Sequence, residues 1–198
     1  LENPITSEDF MLRTGCALLA VLFLTAPASA QGPGTRFGAV IGGATLSDID
    51  NFTLTEDDRW GATAGALVGI NAGRTAATLE ALWIQQGGGD TRLDYIELPL
   101  TLGAIVAPEG KSSRIRLYSG ISVGFKISCS SDILDCDNAK GTQWGWPLGL
   151  QIAKVTNSDS FFGIDVRYTF PLSDAFEFAE AHNRVWAFRL MFGKALGT

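Results

Sequence analysis

Along most of the chain, bulky apolar residues alternate with small or polar ones. That two-residue period marks a strand with two unlike faces. The clearest stretch is 114–128. Ile115, Leu117, Ile121, Val123, Phe125 and Ile127 fall on one face, and Arg114, Arg116, Tyr118, Gly120, Ser122, Gly124 and Lys126 on the other. Segments 94–106, 143–154, 161–171 and 185–193 alternate in the same way, and 36–46, 59–71 and 77–86 do so more weakly. The pattern predicts eight strands of about ten residues, the length that crosses a bilayer in a tilted barrel.

Alternation alone fits a soluble barrel as well as a membrane barrel, because the two differ only in which face points inward. Here the polar face is rich in glycine (Gly120, Gly124, Gly145, Gly149, Gly163) and poor in Lys and Glu, unlike a solvated surface. A bulky outside around a small, polar inside is what a narrow eight-stranded membrane barrel needs. The connections agree. Those at 72–76, 107–113 and 155–160 are short, whereas 47–58, 129–142 and 172–184 are long, with a brief glycine loop at 87–92. Short inner turns and longer outer loops suit an outer-membrane barrel. Trp60, Trp83, Trp144, Trp146 and Trp186 all fall near the strand ends on the long-loop side, where they are expected to form an aromatic girdle.

The first thirty residues lie apart from this pattern. Met11 and Arg13, the apolar run Cys16 to Leu24 and the Ala28-Ser29-Ala30 end predict a cleaved signal peptide over 11–30, behind an unstructured upstream segment 1–10. Its apolar core is too short to span a membrane. Removing 30 of the 198 residues takes away three acids and one base, leaving 168 residues at net charge −4 in place of −6. The full chain is glycine-rich, 46% hydrophobic and acidic, with no basic cluster, which makes it a poor candidate for disorder or nucleic-acid binding.

The residues also resemble a known family. Glu80-Ala81-Leu82-Trp83-Ile84-Gln85-Gln86-Gly87-Gly88, followed by Tyr95-Ile96-Glu97-Leu98-Pro99-Leu100, is similar to the signature of porin-like (PorT-like) outer membrane β-barrel proteins. Tyr118 to Phe125 resembles the family's fifth strand, and Phe37 to Ala44 its glycine-rich first strand. The resemblance implies an all-β, eight-stranded antiparallel up-and-down barrel over 31–198, in the outer membrane of a Gram-negative bacterium. It implies no single activity.

The polar faces direct Glu80, Glu97 and Asp165 into the lumen together with Arg116, Lys126, Arg167 and Arg189. Charges in a narrow, poorly hydrated tube are expected to pair, which makes a structural plug. A gated pore would need the pairing to switch. Cys129 and Cys136, with six residues between them in an exported chain, are expected to form a disulfide. The acids Asp48, Asp50, Glu56, Asp57 and Asp58 suit a solvated loop better than a calcium site, since they lack EF-hand spacing. With His182 as the single imidazole, no metal ligand set or catalytic triad is evident, and no cofactor is expected. The reading is a non-enzymatic structural or surface-interaction protein, with a small pore or a soluble ligand-binding barrel as alternatives. Its expected partners are outer-membrane lipid, lipopolysaccharide and the barrel assembly machinery.

Overall fold

A computed structural model describes residues 35–51, 58–72, 74–106, 113–131, 135–156, 160–176 and 181–196. The leader at 11–30, the upstream segment 1–10, and Glu56 and Asp57 lie outside the described residues. Eight strands follow in order: β1 (Thr35–Asn51), β2 (Arg59–Ala72), β3 (Thr75–Gly88), β4 (Thr91–Ile105), β5 (Ser113–Ser130), β6 (Thr142–Val155), β7 (Ser160–Pro171) and β8 (Ala181–Leu196). Each pairs antiparallel with the next, and β8 closes on β1, so the sheet is a barrel without edges. The β3–β4 turn is tight, with Gly89 at φ +47° and Gly87 at φ +141°, conformations that side chains disfavour.

The bulky residues of the alternation face outward. Leu102, Leu117, Leu148, Ile164, Phe188 and Phe192 are all exposed, Leu102 by 68%. Inward positions such as Thr101, Pro147, Asp165 and Arg167 are buried. An apolar belt around a closed, packed interior is the membrane orientation, the reverse of a soluble barrel.

Several strands run past their apolar stretch. β1 and β8 stay paired through Asp48↔Arg184 to Asn51↔Ala181, although 47–51 and 181–184 were expected as loop. The outward residues there, Asp48, His182 and Arg184, are polar because the strands have left the apolar belt. The ladder continues because Ile49 and Val185 still pack inward.

The weak alternation of 36–46 also has a cause. A bulge between Val40 and Gly43 switches which residues face inward, from Arg36 and Gly38 below it to Thr45, Ser47 and Ile49 above it. A second irregularity lies in β5, where Ser128 and Lys126 oppose consecutive residues Asp94 and Tyr95, leaving Ile127 as the extra residue.

The interior is not uniformly small and polar. Leu67, Leu82, Phe161 and Met191 form an apolar cluster with Val155 packed against it. A larger cluster closes the mouth on the long-loop side, the outer mouth. There Ala139, Ala175 and Phe176, from the connections after β5 and β7, fold onto Ile49, Ile84, Leu93, Tyr95 and Val185. The bridge Ala139↔Phe176 joins the two connections.

Candidate functional site

Between these clusters lies a cross-lumen charge network. Glu80 on β3 accepts from Arg167 Nη2 on β7 at 2.9 and 2.8 Å, and from Arg189 Nη1 on β8 at 2.7 Å. Asp165 accepts from Arg189 Nε at 2.9 Å and Nη2 at 2.5 Å. Tyr118 on β5 joins them: its hydroxyl lies 2.9 and 2.8 Å from the Asp165 oxygens and accepts from Arg167 Nε at 3.1 Å. All five residues are buried. Two carboxylates held by two guanidiniums form a charge-balanced set whose bonds offset much of the cost of burying it.

Register explains the meeting of strands that are not neighbours. Gly149 on β6 is paired with both Tyr118 on β5 and Arg167 on β7. A Cβ at Gly149 would fall on the Tyr118 ring. The missing side chain is what lets the tyrosine and arginine cross over β6.

The other three residues expected in the network sit elsewhere. Arg116 is buried, but its Nη2 donates to the Thr101 hydroxyl at 3.0 Å and no carboxylate, and its guanidinium stacks 4.9 Å from the Tyr118 ring centre. Glu97 hydrogen-bonds Ser122, while its Oε1 is buried without a partner. It borders a cavity of about 30 Å³, shared with Gln86, Gln143 and Asn183. That is room for about one water. Lys126 does not belong to the lumen network at all. It sits near the outer end of β5, and its ammonium lies at the outer mouth, where it donates to the carbonyls of Cys136 (3.1 Å) and Ala139. The expectation that all seven charges pair in the lumen is therefore corrected to four.

Cys129 and Cys136 are bonded, with Cα atoms 5.7 Å apart, and Cys129 packs against the outer-mouth cluster. Their bridge and Lys126 hold the same connection from two sides. Trp144, Trp146 and Trp186 are exposed on the outward face, Trp60 is 65% exposed, and Trp83 is partly covered. Trp146, Phe170, Tyr168, Trp186 and Phe188 form a chain of ring contacts 4.5–6.5 Å apart across β6–β8. Trp60 and Trp83 stand apart from it on β2 and β3.

Of the acidic first connection, Asp48 lies in paired strand and Asp58 is exposed. His182 is half-exposed, with Nδ1 3.5 Å from Asp174. Among the described residues no group of three or more His, Cys, Asp or Glu could hold a metal. What sequence reasoning missed was Tyr118. A large polar ring opposite a glycine on an inward face was the available signal.

Three solved structures share this architecture. Neisserial surface protein A is 10% identical, with 83% of this chain and 97% of that one covered at a TM-score of 0.56. OprG from Pseudomonas aeruginosa is 14% identical over 85% and 98%, at 0.54. AlkL is 10% identical over 88% and 96%, at 0.51. These likenesses speak to the fold. No curated protein matches the chain in sequence. Residues 16–193, nearly the whole of it, match the outer membrane protein beta-barrel domain. The chain belongs to that family, and its place is the outer membrane.

Proposed function

We propose that this protein is a closed, non-enzymatic barrel with a structural or surface-interaction role, in which the outer connections make the contacts and the lumen does not conduct. One observation carries the reading: Glu80, Asp165, Arg167, Arg189 and Tyr118 bond across the interior from four different strands. A path for ions would have to break several buried charge-assisted bonds at once, each worth roughly 1.5–3 kcal/mol. The apolar cluster at the outer mouth adds a second seal. Paired carboxylates also lack the free protonation that acid–base catalysis uses. The protein would reach its place through export and the barrel assembly machinery, with lipopolysaccharide beside its polar strand ends.

Planar-bilayer recording tests this. The expected result is no steady conductance from the wild type, and openings when Glu80→Ala and Arg189→Ala are combined. Reproducible wild-type conductance would favour the small pore, for which the polar cavity beside Glu97 is the supporting feature.

A further inference from the structure

The inner half of the lumen holds an unmatched pair of cations. Arg36 and Arg116 are 7% and 4% exposed, and among the described residues neither meets a carboxylate at ion-pair distance. The acids whose charge Arg116 feels, Glu80 and Asp165, are already bonded to Arg167 and Arg189. The largest charge interactions of Arg36 are with Arg116 and Arg114, all of one sign. Of the other buried acids among the described residues, Asp94 is bonded to Arg92, and Glu97 hydrogen-bonds Ser122 and borders the cavity at the other end.

The hydrogen-bonding groups tell the same story. Nε of Arg36 and Nε of Arg116 are both buried without an acceptor. The Thr78 hydroxyl and the Asn71 side-chain amide are also buried and unpartnered. Pairing places Arg36, Thr78 and Arg116 together: Arg36 opposes Gly69, Gly69 opposes Thr78, and Thr78 opposes Thr101, the residue that Arg116 reaches. Gly103 is what lets Arg116 lie here, since a Cβ there would come 2.7 Å from Arg116 Nε. Buried guanidiniums with free donors are costly, and a planar fork is matched to an oxyanion.

We propose that Arg36 and Arg116 form a binding site for a small phosphate-type oxyanion, entered from the inner mouth of the barrel, with Arg114 at its rim. Thr78 would add a neutral donor to the same anion. The chemistry is shared by a free phosphate and by the headgroup of an inner-leaflet phospholipid.

The test is titration calorimetry of the full barrel with inorganic phosphate at constant ionic strength, in maltoside micelles that contain no phosphate. The expected result is saturable binding to one site, weakened about tenfold or more in Arg36→Gln and in Arg116→Gln. The surface variant Arg92→Gln should bind like wild type. Repeating the titration in phospholipid nanodiscs separates the sources. Retained binding identifies a soluble anion, and binding lost only in nanodiscs identifies a headgroup in the site. If the arginine variants fail to fold, broadening of the phosphorus resonance of inorganic phosphate by the wild type still decides. No saturable binding to the wild type in micelles would overturn the proposal, as would wild-type affinity in a folded double variant.

Discussion

The Tyr118 hydroxyl lies 2.8–2.9 Å from both carboxylate oxygens of Asp165, although β6 separates their strands. The contact passes over Gly149, whose register places it between Tyr118 and Arg167. Adding a methyl group there should push the ring aside and loosen the network. Gly149→Ala is expected to cost about 1–3 kcal/mol, as overpacking does. Tyr118→Phe should cost about 1–3 kcal/mol by leaving buried groups unpaired. The temperature at which the folded band is lost on a detergent gel reads both. In the double variant the losses should fall short of their sum, because both act on one contact.

Glu80 and Glu97 should differ sharply. Glu80→Gln removes the charge that holds two arginines, a loss of about 3–5 kcal/mol for a buried pair. Glu97→Gln leaves no arginine behind and should cost about 1 kcal/mol. Urea midpoints in micelles compare the two, and equal losses would mean that Glu97 shares the network.

The outward belt predicts an asymmetry within β5. Leu117 is 54% exposed on the lipid side, whereas Ser122 is buried inside. Leu117→Arg should cost about 2–4 kcal/mol near the membrane midplane and impair assembly. Ser122→Ala should assemble normally. Outer-membrane fractionation with detergent extraction checks both.

The Cys129–Cys136 bridge closes a short connection already tied by Lys126. Cys129→Ser with Cys136→Ser should leave assembly intact, because the barrel is held by its closed ladder. Protease sensitivity should rise only in the connection after β5. Adding Lys126→Met to the cysteine pair should spread that sensitivity to the connection after β7, through the Ala139↔Phe176 bridge. Limited proteolysis with mass mapping of the fragments reads each step.

The strongly alternating segments, such as 143–154 and 161–171, determined by themselves which face meets lipid. Side-chain direction in a strand has a strict period of two, and bulky residues there occupy every second position. The charges on the other face followed from the same period, so Glu80, Asp165, Arg167 and Arg189 could be assigned to the lumen without coordinates. What the period could not supply was partner choice. Whether Glu80 meets Arg167 and Arg189, or Tyr118 meets Asp165, depends on which strands face one another across the closed barrel, between residues far apart in sequence. Bulges escaped for a related reason. One extra residue at Ile127 puts Cys129, rather than Ser128, on the inward side against the outer-mouth cluster, and the inserted residue looks like any other in the chain. The apolar closure of that mouth was equally hidden, since Ala175 and Phe176 belong to a connection with no period to read. Local alternation is a property of one strand; pairing across the lumen, bulges and loop docking are long-range, and closing the barrel is what decides them.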